Sequence, residues 1–226
     1  MVYGELGRFP LYITRYGRII KFWLKVVNSD NNKLIKVTYN RQSNWAMNVK
    51  NLLFTTGFGD VWLAQGVANE RVFLKQFKLR LRDMYMQDWR GTLYNKPKCR
   101  SYCHYVDSLK YHTYLSDIHI EKHRIALSRL RVSAHRLRIE TGRWERPPLA
   151  VATRKCYFCD NLEDECHFVL ECPAYEELRE RYIPYRFRCK SMYNFIQLMS
   201  SEDSSVVCSL AAFIYKAFEL RSNLLK

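Results

Sequence analysis

In the segment CYFCDNLEDECHFVLEC, Cys156 and Cys159 are separated by two residues, His167 follows after seven more and Cys172 after a further four. This C-x2-C-x7-H-x4-C pattern supplies three thiolates and one imidazole, the donor set of a tetrahedral zinc ion with sulfurs at about 2.3 Å and nitrogen at about 2.0 Å. The two-residue gap lets one tight turn aim both thiolates at a single point, and the longer spacer lets the chain double back to deliver His167 and Cys172. A filled shell leaves no position for water, so the chemistry read from it is structural and not hydrolytic. Metal binding there is coupled to folding, because about twenty residues build no core of their own. Cys166, beside His167, offers a second pattern, C-x2-C-x6-C-x5-C; His167 is preferred because its spacing is knuckle-like. Cys99 and Cys103, with His104 adjacent, have helical spacing and are read as one face of a buried helix, and the pair His119 and His123, four apart, as surface or packing residues.

The elements that must position these residues are helical. With 48% apolar residues, 8 Gly and 6 Pro in 226 residues, the chain can bury a core and is neither disordered nor fibrous. Tyr12, Tyr16, Ile19, Ile20, Trp23 and Val27 recur at steps of three and four and predict a helix over 11–27, with Arg15, Arg18, Lys21 and Lys25 largely elsewhere. The run 29–32 supplies a break. A second helical run spans 33–56, with Leu34, Val37, Trp45, Val49, Leu52 and Leu53 as core positions and Gly57 ending it. A third spans 70–93, burying Phe73, Phe77, Leu81, Met84, Tyr85 and Trp89 and leaving Lys75, Lys78, Arg80, Arg82 and Arg90 for solvent or phosphate. Short helices are expected over 101–115 and 121–134, then from Pro173, over 191–199 and over 203–221. The fold class is mainly α, a multi-helix bundle with a small CCHC knuckle insert and C-terminal helices. Pro147-Pro148 is the clearest boundary signal, giving a basic helical domain over 1–150, the knuckle with its following helix over 151–188, and C-terminal helices over 189–226.

Charge is distributed unevenly. The net +15 arises from 37 basic and 22 acidic side chains; residues 70–155 alone carry 20 basic and 8 acidic ones, whereas 156–226 carry 8 and 11. Such a field favours a polyanion partner. Membrane-spanning readings fail on length, since the longest uncharged stretch, 204–215, is 12 residues where about 20 apolar ones are needed. The opening residues lack the order of a signal peptide, which places the protein in a reducing intracellular compartment, nucleus or cytoplasm.

The sequence resembles the region that follows the polymerase domain in the reverse transcriptases of non-LTR (LINE-type) retrotransposons. The resemblance is carried by GELGRFPL from Gly4, W-x-L near Trp23, RLRDMYMQDW from Arg80, YLSDI from Tyr114, LSRLRVSAHRLRIETGRW from Leu127 and RKCYFCDNLEDECHFVLECPAYEELRERY from Arg154. It implies a post-polymerase linker and zinc knuckle that hold template RNA or target DNA, with Cys156, Cys159, His167 and Cys172 as ligands of one zinc ion. The chain departs from the family where Cys166 replaces the usual aromatic residue before the histidine. It also lacks an Asp-Asp pair to hold the two metal ions of phosphoryl transfer, so no polymerase activity is expected. No nuclease set, phosphate-cradling glycine loop or nucleophile arrangement is visible, and no small-molecule substrate or membrane is expected.

The nucleic-acid surface is expected on 124–155, where Arg124, Arg129, Arg131, Arg136, Arg138, Arg143, Arg146, Arg154 and Lys155 alternate with Ile125, Leu130, Leu137 and Ile139. Tyr157 and Phe158 have two equal readings, stacking on unpaired bases or packing the knuckle against the helices. The leading function is RNA or DNA binding by a retroelement fragment, with a polymerase domain in trans as a further partner. The alternatives are a protein-interaction module docking through the apolar stretch 206–218, or an inert remnant of a truncated element.

Overall fold

A computed structural model describes residues 1–30 and 33–226 and is mainly α-helical, with no strand among those residues. In chain order the helices are α1 (Val2–Glu5), α2 (Leu11–Val27), α3 (Leu34–Val37), α4 (Asn44–Thr55), α5 (Gly59–Ala64), α6 (Glu70–Asn95) and α7 (Tyr114–Asp117). They continue with α8 (Glu121–Arg131), α9 (Arg138–Thr141), α10 (Glu176–Tyr182), α11 (Met192–Met199) and α12 (Ser204–Leu224). The chain divides into two compact units, one formed by Phe9–Gly91 and the other by Met1–Arg8 with Thr92–Lys226.

The Phe9–Gly91 unit is built on the apolar periodicity of α2, α4 and α6. Ile20, Trp23 and Val27 are buried as the pattern requires, while Tyr12, Tyr16 and Ile19 pack partly buried against them. Trp23 stacks on Trp62 with ring centroids 5.6 Å apart, and its indole N–H donates to the Tyr39 hydroxyl at 3.0 Å. Phe58, Phe73 and Phe77 form a ring cluster on the same core. The single run expected over 33–56 is broken: the Ser43 hydroxyl accepts from the Ala46 N–H at 3.2 Å and starts α4 afresh. Leu34 and Val37, expected in the core, lie on the detached turn α3 and are 77% and 68% exposed. Gly57 ends the run at φ 85°, a backbone state that an L side chain rarely adopts. Of the break expected at 29–32, Asn31 and Asn32 lie outside the described residues.

The other unit packs α7, α8 and α10 against α12, whose Val206, Val207, Leu210, Ala211, Phe213, Ile214 and Ala217 are buried. The stretch read as a docking face is therefore consumed by its own unit. Asp203 caps α12 through bonds from the Ser205 and Val206 N–H groups. The helix expected over 101–115 is replaced by 3-10 turns at Pro97–Cys99 and Tyr102–His104 followed by α7. Here the backbone has another partner: Tyr111 pairs with Leu6, and the His112 N–H donates to the Glu5 carbonyl at 3.1 Å.

The boundary expected at Pro147-Pro148 falls inside this unit. Its two sides are joined by a buried ion pair, Arg100 clasping Glu165 at 2.8 and 2.9 Å, and a second, Arg221 clasping Glu163 at 2.9 and 3.0 Å, joins 151–188 to the C-terminal helices. A third pair ties down the N-terminus, where Arg131 donates to both Glu5 oxygens at 2.9 and 3.1 Å and Tyr114 adds a hydroxyl at 2.6 Å. Burial alone would raise the Glu5 carboxyl; the charge and hydrogen bonds of Arg131 outweigh it, so the group titrates below its ordinary 4.5. Its stabilisation is thus fully present above pH 4.5 and is lost as pH falls through the folded value. Glu5→Gln leaves Arg131 buried and unpaired, and urea unfolding at pH 7 should show a loss of about 3–5 kcal/mol relative to wild type. That gap should narrow below pH 4.5.

Candidate metal centre and the basic residues around it

The first two cysteines lie on a short hairpin. The Cys156 N–H donates to the Asn161 carbonyl at 2.7 Å and the Glu163 N–H to the Arg154 carbonyl at 3.0 Å, with Asp160 turning the chain at φ 54°. Inside the turn the Phe158 N–H points at the Cys156 sulfur, 3.5 Å away. The other two candidates lie on a helical segment that begins where Asp164 Oδ1 accepts from the His167 N–H at 2.8 Å. On an α-helix, residues five apart point about 140° away from each other. Over His167–Glu171 the winding widens to a π-turn, and the Cys172 N–H bonds to the His167 carbonyl at 2.8 Å, so Cys172 swings back toward the histidine.

The result is convergent. One donor atom from each of Cys156, Cys159, His167 and Cys172 lies within 4.8 Å of every other. Cys156 Sγ and Cys172 Sγ are 3.8 Å apart, and Cys159 Sγ is 3.2 Å from His167 Nε2. A tetrahedron with 2.3 Å metal–sulfur bonds has edges of about 3.8 Å. The opposite ring nitrogen, Nδ1, faces Glu171 Oε2 at 3.4 Å, which leaves Nε2 free as a ligand atom and orients the ring. Cys166 Sγ points instead at Glu171 Oε1, 3.8 Å away, and stays outside the cluster, which answers the choice between Cys166 and His167. Burial, reinforced by the neighbouring sulfurs, pushes the Cys172 thiol up to about 12 and raises Cys156 above its usual value. Thiols crowded this way release their protons to a cation placed among them. The four residues could hold a metal ion. Among the described residues no second such group occurs: Cys99 is buried and Cys103 donates to the Arg100 carbonyl.

Residues between and beside the ligands fasten the centre to its unit. Glu163 and Glu165 are both 1% exposed. Glu165 receives Arg100, the Ser101 hydroxyl at 2.8 Å and His135 Nε2 at 2.9 Å. The Leu137 N–H donates to His135 Nδ1, so the proton on that ring resides on Nε2 and goes to Glu165. Burial opposes ionisation of Glu165, yet His135 and Arg100 hold it down to about 2. Phe158 packs edge-on against Tyr175, which also contacts Phe168, so packing prevails for this ring. Tyr157 is 57% exposed but its ring already carries the guanidiniums of Arg138 and Arg221, centred 5.3 and 5.5 Å away.

The basic residues expected on a nucleic-acid surface divide into three groups. Arg131 and Arg154 are removed from it. Arg131 is 3% exposed and saturated by Glu5 and the Met199 carbonyl; Arg154 is 8% exposed and donates to the Leu149 and Ile139 carbonyls. Neither guanidinium can reach a phosphate without leaving its buried acceptors. Arg138 is engaged by Glu145, Arg143 by Glu140, Lys155 by Asp160, and Arg124 by the Ile118 carbonyl. Arg129 and Arg136 stand exposed along a groove shared with Tyr215 and Phe218, and Arg146 is exposed. The periodicity gave no sign of Glu171 or Asp164 as supports of His167; an acidic residue four after and one three before the histidine were the available signals.

No known family profile matches this chain, and neither the characterised proteins nor the solved structures contain a significant match to it. Cobalt(II) uptake should separate the two adjacent candidates. Cys166→Ser should bind one equivalent with the thiolate-to-metal absorption of wild type, Cys159→Ser should lose that spectrum, and Glu171→Gln should weaken affinity by about 10- to 100-fold.

Proposed function

We propose that this protein binds RNA or DNA, with one structural zinc ion closing the Cys156, Cys159, His167 and Cys172 cluster and exposed cations gripping phosphate. The donor set of three sulfurs and one nitrogen with no further ligand position is the chemistry of structural zinc. The observation that carries the nucleic-acid reading is how the charge is used. Glu5, Glu140, Glu163 and Glu165 are buried and each is bonded to arginine, so these acids are spent inside the protein. Much of the remaining positive charge faces solvent, and a chain at +15 that exposes unpartnered cations attracts phosphate polymers through counterion release.

The motifs GELGRFPL, LSRLRVSAHRLRIETGRW and the knuckle support an origin in the post-polymerase region of a LINE-type reverse transcriptase. In that reading the chain holds nucleic acid for a polymerase domain supplied in trans and catalyses no step itself. None of its four candidate ligands is left to activate a water, and the knuckle acts by keeping its helices in register.

Binding to a structured RNA and to a nicked DNA duplex, followed over a salt series, tests the proposal. Affinity should fall by about 10³–10⁵ between 50 and 200 mM salt if six to ten phosphates are contacted. The purified protein should carry one zinc equivalent, and a Cys156→Ser, Cys159→Ser double variant should lose both the metal and part of the affinity. Weak, salt-insensitive binding by wild type would refute it.

A further inference from the structure

Cations outside any ion pair are concentrated in the Phe9–Gly91 unit, one of them, Arg82, lying over the Phe9 ring. On α6, Arg71, Lys75, Lys78 and Arg82 recur at steps of four, three and four, so they form one row along the helix. On α2, Arg18, Lys21 and Lys25 recur at steps of three and four and form another. All seven are exposed, and among the described residues none of them makes an ion pair.

The two rows lie on helices that touch. Tyr12 lies beside Tyr85, with ring centroids 6.4 Å apart, and a Cβ on Gly17 would touch the Lys78 side chain. Facing residues therefore rise on one helix as they fall on the other, and α2 and α6 run antiparallel. Continuing by 1.5 Å per residue brings Lys21 level with Lys75 and Lys25 level with Arg71. Each row occupies the solvent side of its helix next to that contact, since Ile13, Ile20 and Leu24 on α2 and Phe73, Phe77 and Leu81 on α6 face the core. Gly17 matters here because its missing side chain leaves the space in which the Lys78 stem lies. The α6 row is about 16 Å long and the α2 row about 10 Å, and helices in contact lie about 8–10 Å apart.

We infer that these two rows form a docking surface for the paired phosphate backbones of a nucleic-acid duplex, bound without regard to sequence. Two roughly parallel lines of cations match two strands better than one. The rows contain no aromatic residue to stack on an unpaired base, and the nearby rings of Phe9, Tyr12 and Tyr85 are engaged with one another. The inference rests on the nucleic-acid reading above and assigns its surface to α2 and α6 in place of 124–155.

The test compares the full-length zinc-bound protein with two variants of equal charge loss: Lys21→Gln, Lys75→Gln, Lys78→Gln in the rows, and Lys96→Gln, Lys98→Gln, Lys190→Gln elsewhere. Each is titrated with a 20-base-pair duplex, with one of its strands alone, and with anionic phosphatidylserine vesicles, the last because Val72 and Leu79 stand exposed on α6. The row variant should lose more than tenfold in duplex affinity at 100 mM salt, and its log–log salt slope should flatten by about 2.7, or about 0.9 for each phosphate contact removed. The control variant should lose less than threefold, and circular dichroism should show both folded. Equal losses in the two variants would overturn the assignment of the surface while leaving nucleic-acid binding intact. Single strand bound as tightly as duplex would overturn the duplex, and vesicles bound more tightly per phosphate than duplex would overturn the class of partner. Failure of wild type to bind any nucleic acid would overturn both readings.

Discussion

Two carboxylates are built into the knuckle itself, and their burial sets a condition that the surrounding unit must meet. Glu163 and Glu165 are almost wholly excluded from solvent, and an unpaired charge in that position would cost several kcal/mol. Arg221 from α12 and Arg100 from the turn after α6 neutralise them, each with two hydrogen bonds to the carboxylate. The four candidate metal ligands thus inherit their position from helices distant in sequence. The hairpin and the π-turn bring the donors together locally, but the ion pairs decide where the cluster lies within its unit. Arg154 extends the same scheme by bonding two backbone carbonyls around the start of the hairpin.

These pairs also redistribute the chain's charge. Arginine is suited to burial because its planar fork satisfies a carboxylate with two bonds, and here the segment richest in arginine spends much of that capacity internally. Lysine, whose ammonium is strongly hydrated, stays on the surface, and Lys21, Lys25, Lys75 and Lys78 do so together. A count of basic residues per segment therefore locates the excess charge differently from a count of unpartnered ones. The electrostatic field felt by a polyanion comes from the second.

Features set by local spacing were legible in the sequence. The helices α2, α6, α11 and α12 follow their apolar periodicity, Asp203 and Ser191 cap where a helix start was read, and the knuckle pattern named the four residues that the structure brings together. Features set by distant partners were not. The pairings Glu5 with Arg131 and Glu163 with Arg221 join residues 126 and 58 positions apart, and nothing in local periodicity distinguishes those arginines from Arg129 or Arg136. The segment after Pro97 has helical composition, yet its backbone pairs at Leu6 and Glu5, a partner that local pattern does not display. The choice of His167 over Cys166 needed the fold: adjacent side chains leave a helix about 100° apart, and the π-turn brings Cys172 round to the side of the histidine.

The central claim is that the cluster is a closed shell of three sulfurs and one imidazole nitrogen. X-ray absorption at the zinc edge of the purified protein tests it most directly. The account predicts three sulfur scatterers at about 2.3 Å and one nitrogen at about 2.0 Å, with the outer-shell pattern of an imidazole. Four sulfurs would put Cys166 in the place of His167, and an oxygen in the first shell would mean an open site; either result would contradict it.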